Sequence, residues 1–201
     1  MLVRHRGREP RISPAATVAP GAIVSGDVVI EAGARILHGA ALTAEDGRVR
    51  IGAETVVLEH AVIRGRHDHP AIVGSHVMIG PHAHVNGATI GDDAFIATGA
   101  ALFPGAVVGA GAEVRVNAVV QVNTTLEPGA VVPIGWVAVG TPAQLFGPDR
   151  HDEIWAVQRT LDFPGTAYGV DRSAGMAEIM RRQSAFYAAH DDDDVIIGDE
   201  G

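Results

Sequence analysis

The sequence predicts an all-β solenoid, a parallel β-helix, with α-helices packed on it in the C-terminal part. An aliphatic residue recurs every six positions from Val18 to Ala138, with two longer gaps, and neither an α-helix nor an ordinary strand has this period. A small residue, often alanine, follows four positions after most of these aliphatic residues, as Ala100 follows Ile96. Three hexads close one triangular coil. About twenty hexads therefore predict roughly six to seven coils, stacked about 4.8 Å apart.

Aromatic residues make up only 4% of the chain, as expected for a core too narrow for rings. The hexad pattern resembles that of the left-handed hexapeptide-repeat helices. We therefore expect a left-handed β-helix, an exception to the right-handed rule for parallel crossovers.

Changes in the repeat divide the chain into four segments. We expect an N-terminal lead-in over residues 1–16, the β-helix over 17–143, helices over 144–190 and an acidic tail over 191–201. The lead-in is expected to be mobile or to cover the edge of the solenoid, and the tail to be frayed and solvated.

Two amphipathic helices are predicted after the repeat ends. Asp149 can cap the first and Ser173 the second, because aspartate and serine side chains accept hydrogen bonds from the first free N–H groups. Each helix has an apolar face that can cover the solenoid. These faces consist of Ile154, Val157 and Leu161 in the first helix, and of Met176, Ile179, Met180, Gln183, Phe186 and Tyr187 in the second.

Composition excludes several classes of function. The formal net charge of −9 argues against general nucleic-acid binding. The chain has no cysteine, so disulfides and thiol nucleophiles are excluded. No apolar run follows the N-terminal arginines as in a secretory signal, and no stretch is long enough to cross a bilayer. We expect a cytoplasmic protein with neither nucleic-acid nor membrane partners.

Candidate chemistry lies where the repeat is interrupted, at Thr43–Arg50 and Arg64–Ile72. Extra residues in a solenoid form loops, which often carry function. Six of the ten histidines fall within 25 residues around the second interruption: His60, His67, His69, His76, His82 and His84.

At these residues the chain resembles the gamma-class carbonic anhydrases of the hexapeptide-repeat superfamily. The resemblance rests on the order of parts: Ile51-Gly52, the loop after Arg64, Gly80–Gly87, the shortened hexad at 88–92 and Gly140-Thr141-Pro142-Ala143. It implies a homotrimer in which three histidines bind zinc between subunits, two from one chain and the third from its neighbour.

The family's functional residues are replaced in this chain. The three histidine ligands fall on Arg64, Pro81 and Asn86. Proline has no ligand atom in its side chain, and arginine stays protonated. The family's arginine–aspartate pair falls near Thr43 and Glu45, and its glutamine–aspartate pair on Leu58 and Glu59. We therefore expect ordinary carbonic anhydrase activity to be very low or absent.

Two kinds of site remain open. In one, zinc or another divalent metal binds at a relocated site using three of the nearby histidines, here His69, His82 and His84. In the other, no metal is needed. Arg64 and Asn86 then bind a small anionic substrate, His67 acts as base, and Glu59 of a neighbouring subunit completes the catalytic set.

The predicted function is that of a divergent hydratase, hydrolase or lyase with its site at the subunit interface. One alternative is a non-catalytic trimeric scaffold or binding subunit. Another is a hexapeptide-repeat acyltransferase, because the same solenoid supports acyl transfer with a loop histidine as base.

Overall fold

The computed structural model describes residues 1–196 and shows a parallel β-solenoid of about eight turns. The hexad aliphatic residues point inward and are fully buried, as Leu42, Ile63 and Val85 are in successive coils. Buried alanines, such as Ala61 and Ala83, close the corners. The predicted left-handed β-helix of hexapeptide repeats is confirmed.

Short strands stack into three faces. Face A has ten strands: Asp194–Ile196, Leu2–Arg4, Ile23–Ser25, Ala41–Ala44, Val62–Gly65, His84–Asn86, Ala101–Leu102, Val119–Val120, Val137–Val139 and Gln144–Phe146. Face B has seven strands: Arg11–Ile12, Val28–Ile30, Val49–Ile51, Ala71–Val73, Thr89–Ile90, Val107–Val108 and Thr125–Leu126. Face C also has seven: Thr17–Val18, Arg35–Ile36, Val56–Val57, Met78–Ile79, Phe95–Ile96, Glu113–Val114 and Val131–Val132.

The N-terminal segment is the first coil of the solenoid. Strand Leu2–Arg4 pairs in parallel with Ile23–Ser25, and Arg11–Ile12 pairs with Val28–Ile30. The structure thus differs from the lead-in expected for residues 1–16. This coil has a loop after its first strand, so the six-residue period that marks later coils is not visible in its sequence.

Antiparallel strands cover both ends of face A. Gln144–Phe146 folds back on Val137–Val139, and Asp194–Ile196 pairs with Leu2–Arg4. Strand pairing at these ends occupies the hydrogen-bonding edges that an open solenoid would expose.

Three α-helices follow the solenoid: α1 (His151–Gln158), α2 (Phe163–Tyr168) and α3 (Met176–Tyr187). Arg150 and Gly175 precede α1 and α3 without a side-chain cap, so neither Asp149 nor Ser173 has the expected capping role. Ser173 instead donates from its backbone and hydroxyl to Asp171. Asp162 caps the short α2, because its side chain accepts a hydrogen bond from the backbone N–H of Gly165.

The acidic segment after α3 is ordered as far as the structure describes it. Ala188–Asp192 forms a 3₁₀ helix, and the strand Asp194–Ile196 follows. The frayed tail expected from residue 191 is therefore not observed over 191–196, because Asp193 and the strand contact the first coil. The rest of the expected tail, residues 197–201, lies outside the described residues. Every helix in residues 1–196 is too short or too polar to span a bilayer.

Candidate active site on face A

Loops from the first, third and fourth coils stack at the corner between faces A and B. Residues 5–8 and 66–69 each form a tight turn closed by two backbone hydrogen bonds, His5 with Arg8 and Arg66 with His69. Residues 44–48 form the loop between them, and their Asp46 carboxylate accepts the backbone N–H of His67 at 2.9 Å. Both predicted interruptions of the repeat thus lie at one corner.

Glycines allow these loops to approach closely. A Cβ on Gly47 would lie 1.9 Å from the carbonyl oxygen of Arg66. Gly26, with φ of +80°, lies in the short turn between the first two loops, where a Cβ would lie 2.6 Å from the carbonyl oxygen of Ala44. The loops at 5–8 and 44–48 can approach each other because Gly26, in the coil between them, has no side chain.

A row of polar side chains crosses the outer surface of face A. The strand register aligns Ser25, Thr43, Arg64 and Asn86 in successive coils. Within residues 1–196, four buried atoms of this row have no hydrogen-bond partner: Ser25 Oγ, Thr43 Oγ1, Arg64 Nε and Asn86 Oδ1. We call these four residues the polar row.

Arg64 is held by residues from two other segments. Its Nε lies 3.6 Å from Oε1 of Glu45, a carboxylate that is only 4% exposed. One guanidinium nitrogen donates to the hydroxyl of Tyr187 at 3.3 Å, and the guanidinium carbon lies 5.8 Å from the centre of the Tyr187 ring. Arg64 therefore pairs with a carboxylate of its own chain.

His84 lies beside Arg64 on the next strand of face A. Val85 points into the core, so His84 and Asn86 project outward on either side of it. Burial, and secondarily the charge of Arg64, lower the pKa of His84 below its usual value of 6.5. The imidazole is therefore neutral at pH 7 and available as a base or ligand.

A second group of titratable side chains joins the two ends of the chain next to Arg64. Asp193 accepts from Nδ1 of His5 at 2.6 Å with one oxygen, and from Nδ1 of His190 at 2.8 Å with the other. Nε2 of His190 lies 2.9 Å from Oε2 of Glu45, and the two imidazole rings stack at 4.3 Å. We call His5, Glu45, His190 and Asp193 the terminal cluster.

The ionisation of the terminal cluster follows from these contacts. Burial alone would lower the pKa of His190, but its hydrogen bonds to Asp193 and Glu45 raise it above the usual value. Burial alone would raise the pKa of Asp193, but hydrogen bonds from His190 and His5 lower it. Ligand atoms of His5, Glu45 and His190 lie within 4.8 Å of one another, so this group could hold a metal ion.

The other predicted site residues are dispersed. His67 is at the tip of its loop with 77% of its side chain exposed, and His69 lies half-buried on the same loop. His82 and the exposed Glu59 lie at the corner between faces C and A, where the ring of His82 stacks on that of His60 at 5.3 Å. His82 and His60 have φ near +57°, a conformation that elsewhere at this corner is adopted by glycine or asparagine.

Within residues 1–196 of one chain, the terminal cluster is the only place where three or more histidine or carboxylate side chains lie close enough together to share a metal ion. A site built from His69, His82 and His84 would therefore need a neighbouring copy of the chain.

Sequence reasoning missed His5, His190 and Asp193, since they lie outside the hexad repeat. One signal was present for their partner Glu45: the resemblance places the family's arginine–aspartate pair near Thr43 and Glu45.

Comparison with known proteins agrees with the resemblance noted from the sequence. The chain is 32% identical over 107 residues to the mitochondrial gamma carbonic anhydrase 3 of Arabidopsis thaliana, a match covering 47% of this chain and 42% of that protein. It is 34% identical over 90 residues to the carnitine operon protein CaiE of Escherichia coli, covering 45% of this chain and 46% of that one. Close to half of the chain is thus similar in sequence to hexapeptide-repeat proteins that include gamma carbonic anhydrases. No protein-family model matches it.

Solved structures extend the fold similarity to almost the whole chain. A Bacillus cereus protein named as an acetyltransferase has a TM-score of 0.56 at 17% identity, covering 92% of this chain and 95% of that one. A hexapeptide transferase family protein from Anaplasma phagocytophilum has a TM-score of 0.51 at 21% identity, covering 92% and 97%. These similarities show the fold. The chain spans less than half the length of the gamma carbonic anhydrase that it matches.

The three positions that the resemblance aligns with zinc ligands do not fit a metal in this chain. Arg64 carries a positive charge and pairs with Glu45. Pro81 has no ligand atom and lines an apolar groove with Met78 and Phe95. Asn86 offers only a neutral amide.

Proposed function

We propose that this chain is a divergent enzyme of the gamma carbonic anhydrase type, a hydratase, hydrolase or lyase, that binds a small anionic substrate on face A. The observation that supports the proposal is the polar row, whose four buried polar atoms have no hydrogen-bond partner within residues 1–196. Leaving a buried polar group without a hydrogen bond costs about 1–3 kcal/mol. A row of such groups in strand register is therefore better explained by a ligand than by packing.

The chemistry of the polar row suits a carboxylate or bicarbonate-like anion. Arg64 supplies a fixed positive charge and several N–H donors in one plane, which match the two oxygens of a carboxylate. Asn86 can donate through its amide from one side, and the hydroxyl of Thr43 from the other. Glu45 and Tyr187 hold the guanidinium in place, so its orientation is set before the anion binds.

His84 is the residue best suited to proton transfer beside this anion. Its pKa is lowered by burial and by Arg64, so it is neutral at pH 7, as a general base must be. His67 was the base expected from the sequence, but its side chain is mostly exposed. We therefore assign the role of base to His84, with Arg64 and Asn86 binding the substrate.

We also propose that the chain forms a homotrimer through face C. Large apolar residues are exposed on its strands (Met78, Phe95 and Val131) and in the turns that follow two of them (Val116 and Ile134). An apolar groove of about 310 Å³ runs among several of them. Apolar surface of this kind is typical of subunit interfaces.

Anion binding tests the proposed function. Isothermal titration with acetate and bicarbonate should show binding to the wild-type chain, weakened at least about tenfold, or 1.4 kcal/mol, in Arg64→Met. The matched control is Arg50→Met, which removes an exposed arginine paired with Glu31 on face B. Binding that is absent, or equal in both variants, would favour a non-catalytic scaffold. The alternative function, acyl transfer, is supported only by the similarity of the fold to that of proteins named as transferases.

A further inference from the structure

The terminal cluster has an unusual arrangement of hydrogen-bonding atoms. Asp193 accepts from Nδ1 of both His5 and His190. A neutral imidazole that donates from Nδ1 has a lone pair on Nε2. Because the rings stack and turn Nδ1 toward the same carboxylate, both Nε2 atoms point away from Asp193.

Each of these two Nε2 atoms needs a partner for its lone pair, either a proton donor or a cation. Nε2 of His190 lies 2.9 Å from Oε2 of Glu45, and a lone pair facing a carboxylate at this distance requires a cation between them. A proton on His190 would meet that need. It would leave Nε2 of His5, in a side chain only 1% exposed, without a partner in the described part of the chain.

We propose that His5, Glu45 and His190 bind a divalent transition metal, with Asp193 orienting both imidazoles. One ion would satisfy both Nε2 atoms and the buried carboxylate together. Two imidazoles and one carboxylate favour zinc and its neighbours in the first row over magnesium or calcium, which take oxygen ligands. A carboxylate that accepts from the second nitrogen of a ligating histidine is the usual support for such a site.

The surroundings provide a path for the ion and explain why the ligands meet. A groove of about 270 Å³ reaches His5 and Glu45, and Asp27 and Asp46 also line it. Gly26 leaves the space through which the first and third coils approach each other. The site uses none of the positions aligned with the family's zinc ligands. It shares one residue with the proposed anion site, because Glu45 also pairs with Arg64.

Metal titration of the full-length, untagged protein tests this proposal. After dialysis against a chelator, the wild type should bind one Zn²⁺ or Co²⁺ per chain, and Co²⁺ should give a visible absorption band. We expect at least a hundredfold weaker binding in His5→Ala and in Glu45→Gln. His82→Ala is the matched control and should bind as the wild type does. Asp193→Asn keeps all three ligands, so binding should weaken about 10–100-fold at unchanged stoichiometry.

Two results would overturn the proposal: no Zn²⁺ or Co²⁺ binding by the wild type at micromolar concentration, or binding that His5→Ala and Glu45→Gln leave unchanged. Circular dichroism shows whether each variant folds, and Glu45→Gln, which keeps the shape of the side chain, decides the question if His5→Ala does not. Acetate titration of His5→Ala and Asp193→Asn, which leave the ion pair between Glu45 and Arg64 in place, measures the anion site separately. Loss of metal with retained anion binding therefore distinguishes the two proposals.

Discussion

Arg64 connects the polar row to the terminal cluster. Its guanidinium lies 3.6 Å from Glu45 on one side, and its charge acts on His84 on the other. Tyr187 from the C-terminal segment fixes its orientation. Replacing this residue should therefore change the pKa of the proposed base, His84, and should remove the ion pair of the buried Glu45 carboxylate.

Replacing Arg64 by methionine should raise the pKa of His84. Burial is the larger cause of the low pKa and remains in the variant, so the value should stay below 6.5. Because the pKa is lower in the folded than in the unfolded chain, His84 stabilises the fold above pH 6.5, and this contribution is lost as pH falls through the folded value. NMR titration of the His84 ring in both proteins measures the shift, with the exposed His76 as reference. A wild-type pKa at or above 6.5, or no change in the variant, would contradict this.

The sequence placed some of these residues correctly and missed others for a physical reason. Side chains alternate in and out along each strand, so the hexad period alone sets Arg64, His84 and Asn86 on one outer wall. The contact between His5 and Asp193 joins residues 188 positions apart. It depends on how the C-terminal segment folds back over face A, which no local periodicity encodes.

At the scale of elements, the stacked loops at the corner of faces A and B position the site. The interruptions at 43–50 and 64–72 could be recognised as loops because they break a strict repeat. The first loop could not, since the turn closed by His5 and Arg8 precedes the visible repeat. Strand Leu2–Arg4 pairs with Asp194–Ile196, and His5 in the loop after it contacts Asp193. These contacts explain why the aspartate run, which its sequence predicts to be a solvated tail, is ordered over 191–196.

Gly47→Ala should disturb this stack of loops. The new Cβ would meet the backbone carbonyl of Arg66, so one loop must shift, at a cost of about 1–3 kcal/mol. Gly129→Ala is the control, because Gly129 also lies in a turn but has open space around it and a φ of +70°. It should cost about 1–2 kcal/mol from backbone strain alone.

Ligand binding separates the two glycine variants better than stability does. Only Gly47→Ala should weaken Zn²⁺ and acetate binding, because its loop carries Glu45. Thermal unfolding and the two titrations, performed on both variants, test this. Equal ligand binding by the two variants would show that the spacing of the loops does not position the site.

At the scale of the whole molecule, face C differs from the others in its exposed apolar surface. Phe95→Glu should convert the proposed homotrimer into monomers, because a buried carboxylate at a subunit interface would have no partner. Val107→Glu is the matched control on face B, where Val107 is equally exposed. Light scattering coupled to size exclusion measures the mass of each. A wild-type monomer at micromolar concentration, or a trimeric Phe95→Glu variant, would contradict the assembly.

The central claim is that this chain binds a metal ion at the terminal cluster, and not at the positions that the resemblance aligns with zinc ligands. Anomalous diffraction at the zinc edge, from crystals of the zinc-loaded full chain, tests this most directly. The account predicts one peak per chain, bounded by His5, Glu45 and His190. A peak beside Pro81 and Asn86 or among His69, His82 and His84, or the absence of any peak at His5, would contradict it.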